Sequence, residues 1–143
     1  MKVIYAEQGS EAWLAARAGK VTASMISNVL AKPTIDRAGA SPDGLVGSDG
    51  LVEIKAPKMS THLSYICAGV VPTKYKNQML WQMACTERQF CDFVSFRPDL
   101  PEHLQLFVVE FKRDEAKIKE LTIAVNAFLA QVDEMLTKLK GIK

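Results

Sequence analysis

Apolar residues recur along the C-terminal part of the chain at alternating steps of three and four: Ile118, Leu121, Val125, Phe128, Val132, Met135 and Leu139. That period places them on one stripe of a helix opening at Asp114, and such a stripe has to be covered. Packing across the domain's own sheet is the expected cover; a coiled-coil seam between subunits is the alternative. Further upstream the period changes to two. Leu51 to Ala56 alternates so that Leu51, Glu53 and Lys55 share one face and Val52, Ile54 and Ala56 the other, the signature of a strand. Ser48-Asp49-Gly50 just before it is a tight-turn signal, which makes this strand the second arm of a β-hairpin. Two more strands, Gln89 to Phe96 and Leu104 to Lys112, flank the breaker Arg97-Pro98-Asp99-Leu100-Pro101 and are expected to pair antiparallel.

The remaining elements read as helices. Ser10 can cap a short helix through Ala18 that buries Trp13 and Leu14 and ends at Gly19. Thr22 or Ser24 is a good cap for Met25 to Leu30, and Pro33 forbids continuation. Ala31 to Asp49 is loop chemistry, rich in Gly and Pro. Ser60 or Thr61 can cap a helix through Ala68 closed by Gly69, and after Pro72 a longer helix runs from Thr73 to Thr86. On it Tyr75, Gln78, Met79 and Gln82 fall in one broad stripe. Gln78 and Gln82 also suit exposed helix positions, with Met79 and Met83 as core fillers. The order of elements suggests an α/β fold with a mixed β-sheet flanked by helices, in a single domain over residues 1–143.

Composition narrows the class. With 48% hydrophobic and 24% charged residues over 143 positions, the chain is neither a disordered tail nor a bilayer protein. Three cysteines without C-x-x-C spacing argue against a disulfide framework and a zinc cage, and no leader pattern opens the chain, so a reducing cytoplasm is the expected location. Cys67, Cys85 and Cys91 read as small buried hydrophobes, Trp81 as a core or interface residue, and His62 and His103 as structural or surface residues. The net charge of +2 says little, but residues 54 to 100 carry six basic against three acidic side chains. Lys55, Lys58, Lys74, Lys76, Arg88 and Arg97 are the first candidates for a polyanion, although such a surplus is also ordinary for a solvated surface.

A metal-dependent phosphodiester hydrolase needs carboxylates to hold Mg²⁺ against a phosphate, and a cation or base beside the attacking water. Asp43, Glu53 and Lys55 offer that minimum set. The pattern is Pro-Asp, a spacer, then Glu-x-Lys. Glu-x-Lys alone is weak, since it occurs at Glu53/Lys55, Glu110/Lys112 and Glu115/Lys117, and Pro98-Asp99 even precedes the second copy. Two features favour the first. Its strand is bracketed by Gly and Pro, with an expected inward face of Val52 and Ile54, whereas Lys112 begins the charged cluster Lys112-Arg113-Asp114-Glu115 of a solvated helix start.

Four segments in order then carry a family resemblance: Gly9-Ser10-Glu11-Ala12-Trp13-Leu14-Ala15-Ala16-Arg17 through Ser24, Ala40-Ser41-Pro42-Asp43-Gly44-Leu45-Val46, Gly50-Leu51-Val52-Glu53-Ile54-Lys55-Ala56-Pro57, and Tyr75-Lys76-Asn77-Gln78-Met79. Together they resemble the lambda-exonuclease-like, YqaJ-type viral recombinase nucleases of the PD-(D/E)xK superfamily. The resemblance implies a restriction-endonuclease-like core and an Mg²⁺-dependent exonuclease, with Mn²⁺ as a substitute ion. Such an enzyme degrades one strand of linear duplex DNA from a 5′ end during phage or prophage recombination and feeds a single-strand annealing protein. It implies Asp43, Glu53 and the Ile54 carbonyl as metal ligands, Lys55 as the catalytic lysine and Gln78 as the glutamine completing the site. Arg17 and Ser24 match residues that hold the 5′-phosphate or adjacent backbone, and Thr22 at the same helix start joins them as a candidate. Ring-shaped trimers occur in such families, so a homo-oligomer is an expectation of the resemblance alone.

One departure is visible. Only nine residues separate Leu30 from Ala40, where relatives carry a longer insertion with a helix whose glutamate joins the metal site. Asp36 is the one carboxylate in that remnant. Three readings follow: a minimal exonuclease, a non-catalytic remnant that grips DNA ends or an annealing protein, or an endonuclease on the same core.

Overall fold

The structure is a computed structural model that describes residues 38–142. The two helices expected between Ser10 and Leu30, and with them Arg17, Thr22 and Ser24, lie outside the described residues, as does Asp36. In chain order the described elements are β1 (Gly44–Val46), β2 (Gly50–Lys55), α1 (Met59–Ala68), α2 (Thr73–Thr86), β3 (Phe90–Phe96), α3 (Glu102–Gln105), β4 (Leu106–Lys112) and α4 (Glu115–Lys140).

The hairpin forms where the turn chemistry placed it. Its first arm, β1, comes from the stretch that reads as loop, because three residues are too few to show an alternation. Gly47 takes the left-handed conformation at φ 55°. At Gly50 a β-carbon would meet the Phe90 ring at 2.2 Å, so any larger residue there has to displace that ring. Arg88 reaches back to the turn and donates to the carbonyls of Gly47 at 3.1 Å and Gly50 at 2.6 Å. It is therefore a structural clamp on the hairpin, and Arg97 is likewise engaged, with the Pro57 carbonyl and with Asp99.

The sheet has the order β1-β2-β3-β4. β1 and β2 are antiparallel, β2 and β3 parallel, and β3 and β4 antiparallel as expected. The parallel step is made by a crossover through both α1 and α2. α1 starts at Met59 with Lys58 as its cap, so Ser60 and Thr61 sit inside the first turn rather than capping it. Gly69 closes α1 in the left-handed conformation at φ 64°. Between the last strands a short helix, α3, takes up Leu104 and Gln105 and delays β4 to Leu106.

The core lies on one side of the sheet. Leu51, Cys91 and Phe93 from the strands meet Tyr65 and Val71 and the α2 residues Met79, Leu80, Met83 and Ala84. His62 is buried beside this core; its Nε2–H donates to the Leu104 carbonyl at 2.8 Å and its Nδ1 bonds the Ser95 hydroxyl at 2.7 Å. Its role is structural, while His103 is exposed. Trp81 packs half-buried against the core. Cys85 and Cys91 are buried as expected, but Cys67, on the last turn of α1, faces solvent.

Two expectations about faces are corrected. On β2 the covered face is Leu51, Glu53 and Lys55, not Val52 and Ile54: Leu51 and Glu53 are buried and Ile54 is exposed. The helices stack on the side where the glutamate stands. The apolar stripe of α4 is also covered less than its period demands. Asp114 caps that helix, accepting from the Lys117 amide at 3.1 Å. Ile118 is buried and Leu121 partly so, but Phe128 is 60% and Leu139 62% exposed. Among the described residues the helix runs past the end of the core, and its first turns are the part that packs against it.

Ile118→Ala is therefore expected to cost about 2–4 kcal/mol of stability, and Phe128→Ser less than about 0.5 kcal/mol. Urea denaturation of the two variants measures the contrast.

Candidate active site

β-Sheet register assembles the site from residues ten apart. Gly44 on β1 pairs with Val52 on β2, so Asp43, one step before Gly44, is set beside Glu53 and Ile54. The Asp43 carboxylate accepts the Ile54 amide at 2.8 Å, which pins it to the strand that carries Glu53. Glu53 and Lys55, two positions apart, point to the same side and form an ion pair. The hairpin thus brings Asp43, Glu53, Ile54 and Lys55 to one corner.

A buried carboxylate needs donors, because losing water costs an ion several kcal/mol. Glu53 is 1% exposed and receives three. Lys55 and Gln78 both donate to Oε1, Gln78 at 2.7 Å, and Gln82 donates to Oε2 at 2.7 Å. The two glutamines are one helical turn apart on α2, so a single face of that helix meets both carboxylate oxygens. Gln78 is exposed, as its helix position allows, and still donates to Glu53. Gln82, by contrast, is only 2% exposed, and its Oε1 is buried without a hydrogen-bond partner. Sequence reasoning gives Gln82 no role in the site; its shared stripe with Gln78 is the one signal that points to it.

Aromatic packing holds the lysine. The Lys55 ammonium lies 5.2 Å from the centre of the Tyr75 ring, and that ring stacks on Phe93 at 5.4 Å with 26° between planes. Phe93 is buried and sits opposite Glu53 in the sheet, so the lysine rests on the core through Tyr75. The side chain of Lys55 remains 25% exposed and reaches solvent with its charge. Burial, helped by the nearby charges of Glu53, Asp92 and Asp43, pushes the Cys91 thiol up to about 12. Cys91 is thus a protonated core residue and no nucleophile at neutral pH.

The competing Glu-x-Lys falls elsewhere. β3 pairs Asp92 with Glu110, and β2 pairs Val52 with Asp92, so Glu110 stands on the Val52 face, opposite to Glu53. Its ion pair with Lys112 is long, at 3.9 Å, and both side chains are at least half exposed. Asp99, the acid of the second Pro-Asp, is tied to Arg97, which holds its carboxyl below the usual range. A single step of strand alternation therefore separates the two motifs.

The donors at the Asp43/Glu53 corner fit a hard divalent cation. Two carboxylates and a backbone carbonyl are oxygen ligands of the kind Mg²⁺ takes, with water completing the octahedron. The amide of Gln82 that serves Glu53 also carries a buried acceptor, its Oε1, without a hydrogen-bond partner. Among the described residues no cluster of three His, Cys, Asp or Glu side chains forms. The corner accordingly supplies at most two protein carboxylates from the described residues.

Replacing Gln82 with Leu removes the donor to a buried carboxylate oxygen and is expected to cost about 1–3 kcal/mol. Gln78→Leu should cost less, since Lys55 still serves Oε1; urea midpoints of the two variants check this. On the other face, burial and then Glu110 raise the Asp92 carboxyl. An acid raised in the folded state disfavours folding while ionised, so Asp92→Asn is expected to stabilise the protein at pH 7. The gain should fade as pH falls through the carboxylate range, which denaturation at pH 7 and pH 4 tests.

The family model of the YqaJ-like viral recombinase domain matches residues 17–89, a span holding Asp43, Glu53, Lys55, Gln78 and Gln82. The crystal structure of an alkaline exonuclease (LHK-Exo) from Laribacter hongkongensis is similar to this chain at 49% identity with a TM-score of 0.74, over 76% of this chain and 56% of that one. LHK-Exo in complex with dAMP matches at the same identity and TM-score, over 55% of its length. This chain therefore spans little more than half the length of the solved structures it matches. Among curated proteins no match is found. The mixed sheet with its two helices on the glutamate side, the ordered motifs and this similarity agree: the chain belongs to the YqaJ-like viral recombinase domain family and has the α/β core of a PD-(D/E)xK-type exonuclease.

Proposed function

We propose that the protein is an Mg²⁺-dependent deoxyribonuclease that digests linear double-stranded DNA from 5′ ends in phage or prophage recombination. The observation that carries this reading is the convergence of Asp43, Glu53, Lys55 and Gln78 at one corner, with Glu53 buried and held by three donors. Similarity to an alkaline exonuclease at 49% identity supports it, as does membership of a viral recombinase family.

Asp43, Glu53 and the Ile54 carbonyl would hold the ion, which when bound supplies a Lewis acid for a phosphoryl oxygen and lowers the pKa of a water ligand. Lys55, seated on Tyr75 and partly open to solvent, orients the attacking water and offsets charge on the phosphate. Gln78 and Gln82 keep the Glu53 carboxylate in one rotamer, so the ligand set needs little rearrangement to act. Arg17, Thr22 and Ser24 would receive the 5′-phosphate of the end. An annealing protein that takes up the exposed strand and a ring-shaped homo-oligomer complete the proposal. Among the described residues no helix is long and apolar enough to cross a membrane.

A second reading has a specific observation behind it. The described residues bring only two carboxylates together, as the short link between Leu30 and Ala40 leads one to expect, and this favours a DNA-end-binding remnant. Titration calorimetry separates the two: Mg²⁺ or Mn²⁺ uptake at millimolar concentration, weakened in Asp43→Asn, supports the nuclease. DNA binding without metal uptake supports the remnant.

Glu53→Gln and Lys55→Ala are expected to lower digestion of 5′-phosphorylated linear duplex at least about 100-fold while circular dichroism stays parental. Glu110→Gln should digest at the parental rate. Parental rates in both site variants would refute the assignment, and cleavage of closed circular DNA would make the enzyme an endonuclease.

A further inference from the structure

A carboxylate can hold a divalent cation by one oxygen or by both, and the choice favours one ion over another. Ca²⁺ takes roughly 6–8 oxygen ligands in a flexible shell and readily accepts both oxygens of one acid. Mg²⁺ demands a near-ideal octahedron, which the narrow bite of a two-oxygen carboxylate strains. The terminal torsion of a glutamate does not decide between the two modes, because it has no sharp wells. The donors around the acid do.

At Glu53 those donors are divided between the two oxygens. Lys55 and Gln78 donate to Oε1, and both reach solvent, the Lys55 side chain being 25% exposed and Gln78 exposed. The bond from the Ile54 amide to the Asp43 carboxylate is exposed as well. Oε1 is therefore the oxygen on the open side, with the other proposed ligands. It already accepts two bonds, as many as its lone pairs allow, so Lys55 is the donor that yields to a cation there, one positive charge for another. Oε2 is different. Its donor is Gln82 at 2.7 Å, the bond is buried, and Gln82 itself is 2% exposed.

Little else accounts for a glutamine at that position. Its Nε2 serves Glu53, and its own Oε1 is buried with no hydrogen-bond partner. An unsatisfied buried acceptor costs about 1–3 kcal/mol, so the amide is held against a loss of stability by the one bond it donates. Together with Gln78, one turn earlier on α2, it fixes the carboxylate plane at both ends. We infer that Gln82 withholds Oε2 from the metal, makes Glu53 a one-oxygen ligand, and thereby selects Mg²⁺ over Ca²⁺. Gln82 acts through Glu53 and is a positioning residue for ion choice. The inference rests on the proposed metal-dependent reading for the ion site and adds which ion that site disfavours.

The test titrates the full chain, without DNA, with Mg²⁺ and separately with Ca²⁺ by calorimetry, and reads the ratio of the two affinities. Glu53→Gln identifies the uptake that belongs to this acid. Gln82→Met keeps the length of the side chain and removes the donor. Mg²⁺ affinity is expected to fall about tenfold, as loss of an outer-shell partner does, while Ca²⁺ gains a second oxygen and binds at least as well as before, so the ratio moves about tenfold toward Ca²⁺. Gln78→Met removes a donor from Oε1, the oxygen both ions use, and should leave the ratio parental. A second readout needs no Gln82 variant. In the parental chain, the infrared carboxylate bands that Glu53→Gln removes should show the one-oxygen pattern with Ca²⁺ as with Mg²⁺. An unchanged ratio in Gln82→Met, an equal change of ratio in Gln78→Met, or a two-oxygen pattern in the parental chain overturns the inference. The two readings fail separately: uptake that Glu53→Gln abolishes, beside a ratio that Gln82→Met leaves alone, sinks only the role of Gln82, whereas no uptake of either ion by the parental chain sinks the ion site and the inference with it.

Discussion

A carboxylate moved from water into a protein interior loses hydration worth several kcal/mol and returns to balance only when donors surround it. Glu53 is in that position, and the arrangement of the domain follows from how it is satisfied. Lys55 can reach it only if the strand keeps period two, and Gln78 and Gln82 only if α2 lies along the same side of the sheet. The crossover through α1 and α2 puts that helix there while making the parallel pairing of β2 with β3. The requirement of one buried acid thus ties together a hairpin, a crossover and a helix face.

The same packing gives the corner its chemical character. Tyr75 leaves α2 one turn before Gln78 and lays its ring on Phe93, the residue opposite Glu53 in the sheet. That ring carries Lys55 on the site side and Lys74 toward the helix start. Acidic groups are gathered at the hairpin and basic ones along the beginning of α2. A corner with carboxylates at its centre and ammonium groups beside them suits a divalent ion and a polyanionic strand together.

Much of this is legible in the residues. The alternation of Leu51 to Lys55 puts Glu53 and Lys55 on one face, the stripe on Thr73–Thr86 includes both glutamines, and Gly69 and Asp114 mark helix ends that the structure keeps. Three expectations fail for one kind of reason. An inward Ile54, an exposed Gln82 and a fully covered α4 stripe each depend on which surface a neighbour occupies. Aliphatic side chains on β2 look like the natural core face, but α2 brings glutamines that reward burying the acid, so the layer forms on the other side. Cys67 departs similarly, since its helix turns its last residues away from the core.

What the sequence by itself determined is local: which segments alternate at two or at 3.6, where turns and caps interrupt them, and which side chains within a segment are neighbours. Those follow from backbone geometry, which each residue carries with it. The two copies of Glu-x-Lys are told apart only by tertiary structure. Strand pairing sets Asp43 beside Glu53, and sheet register puts Glu110 on the opposite face. Period two divides a strand into two equivalent faces, and only a packed layer makes one of them the inside.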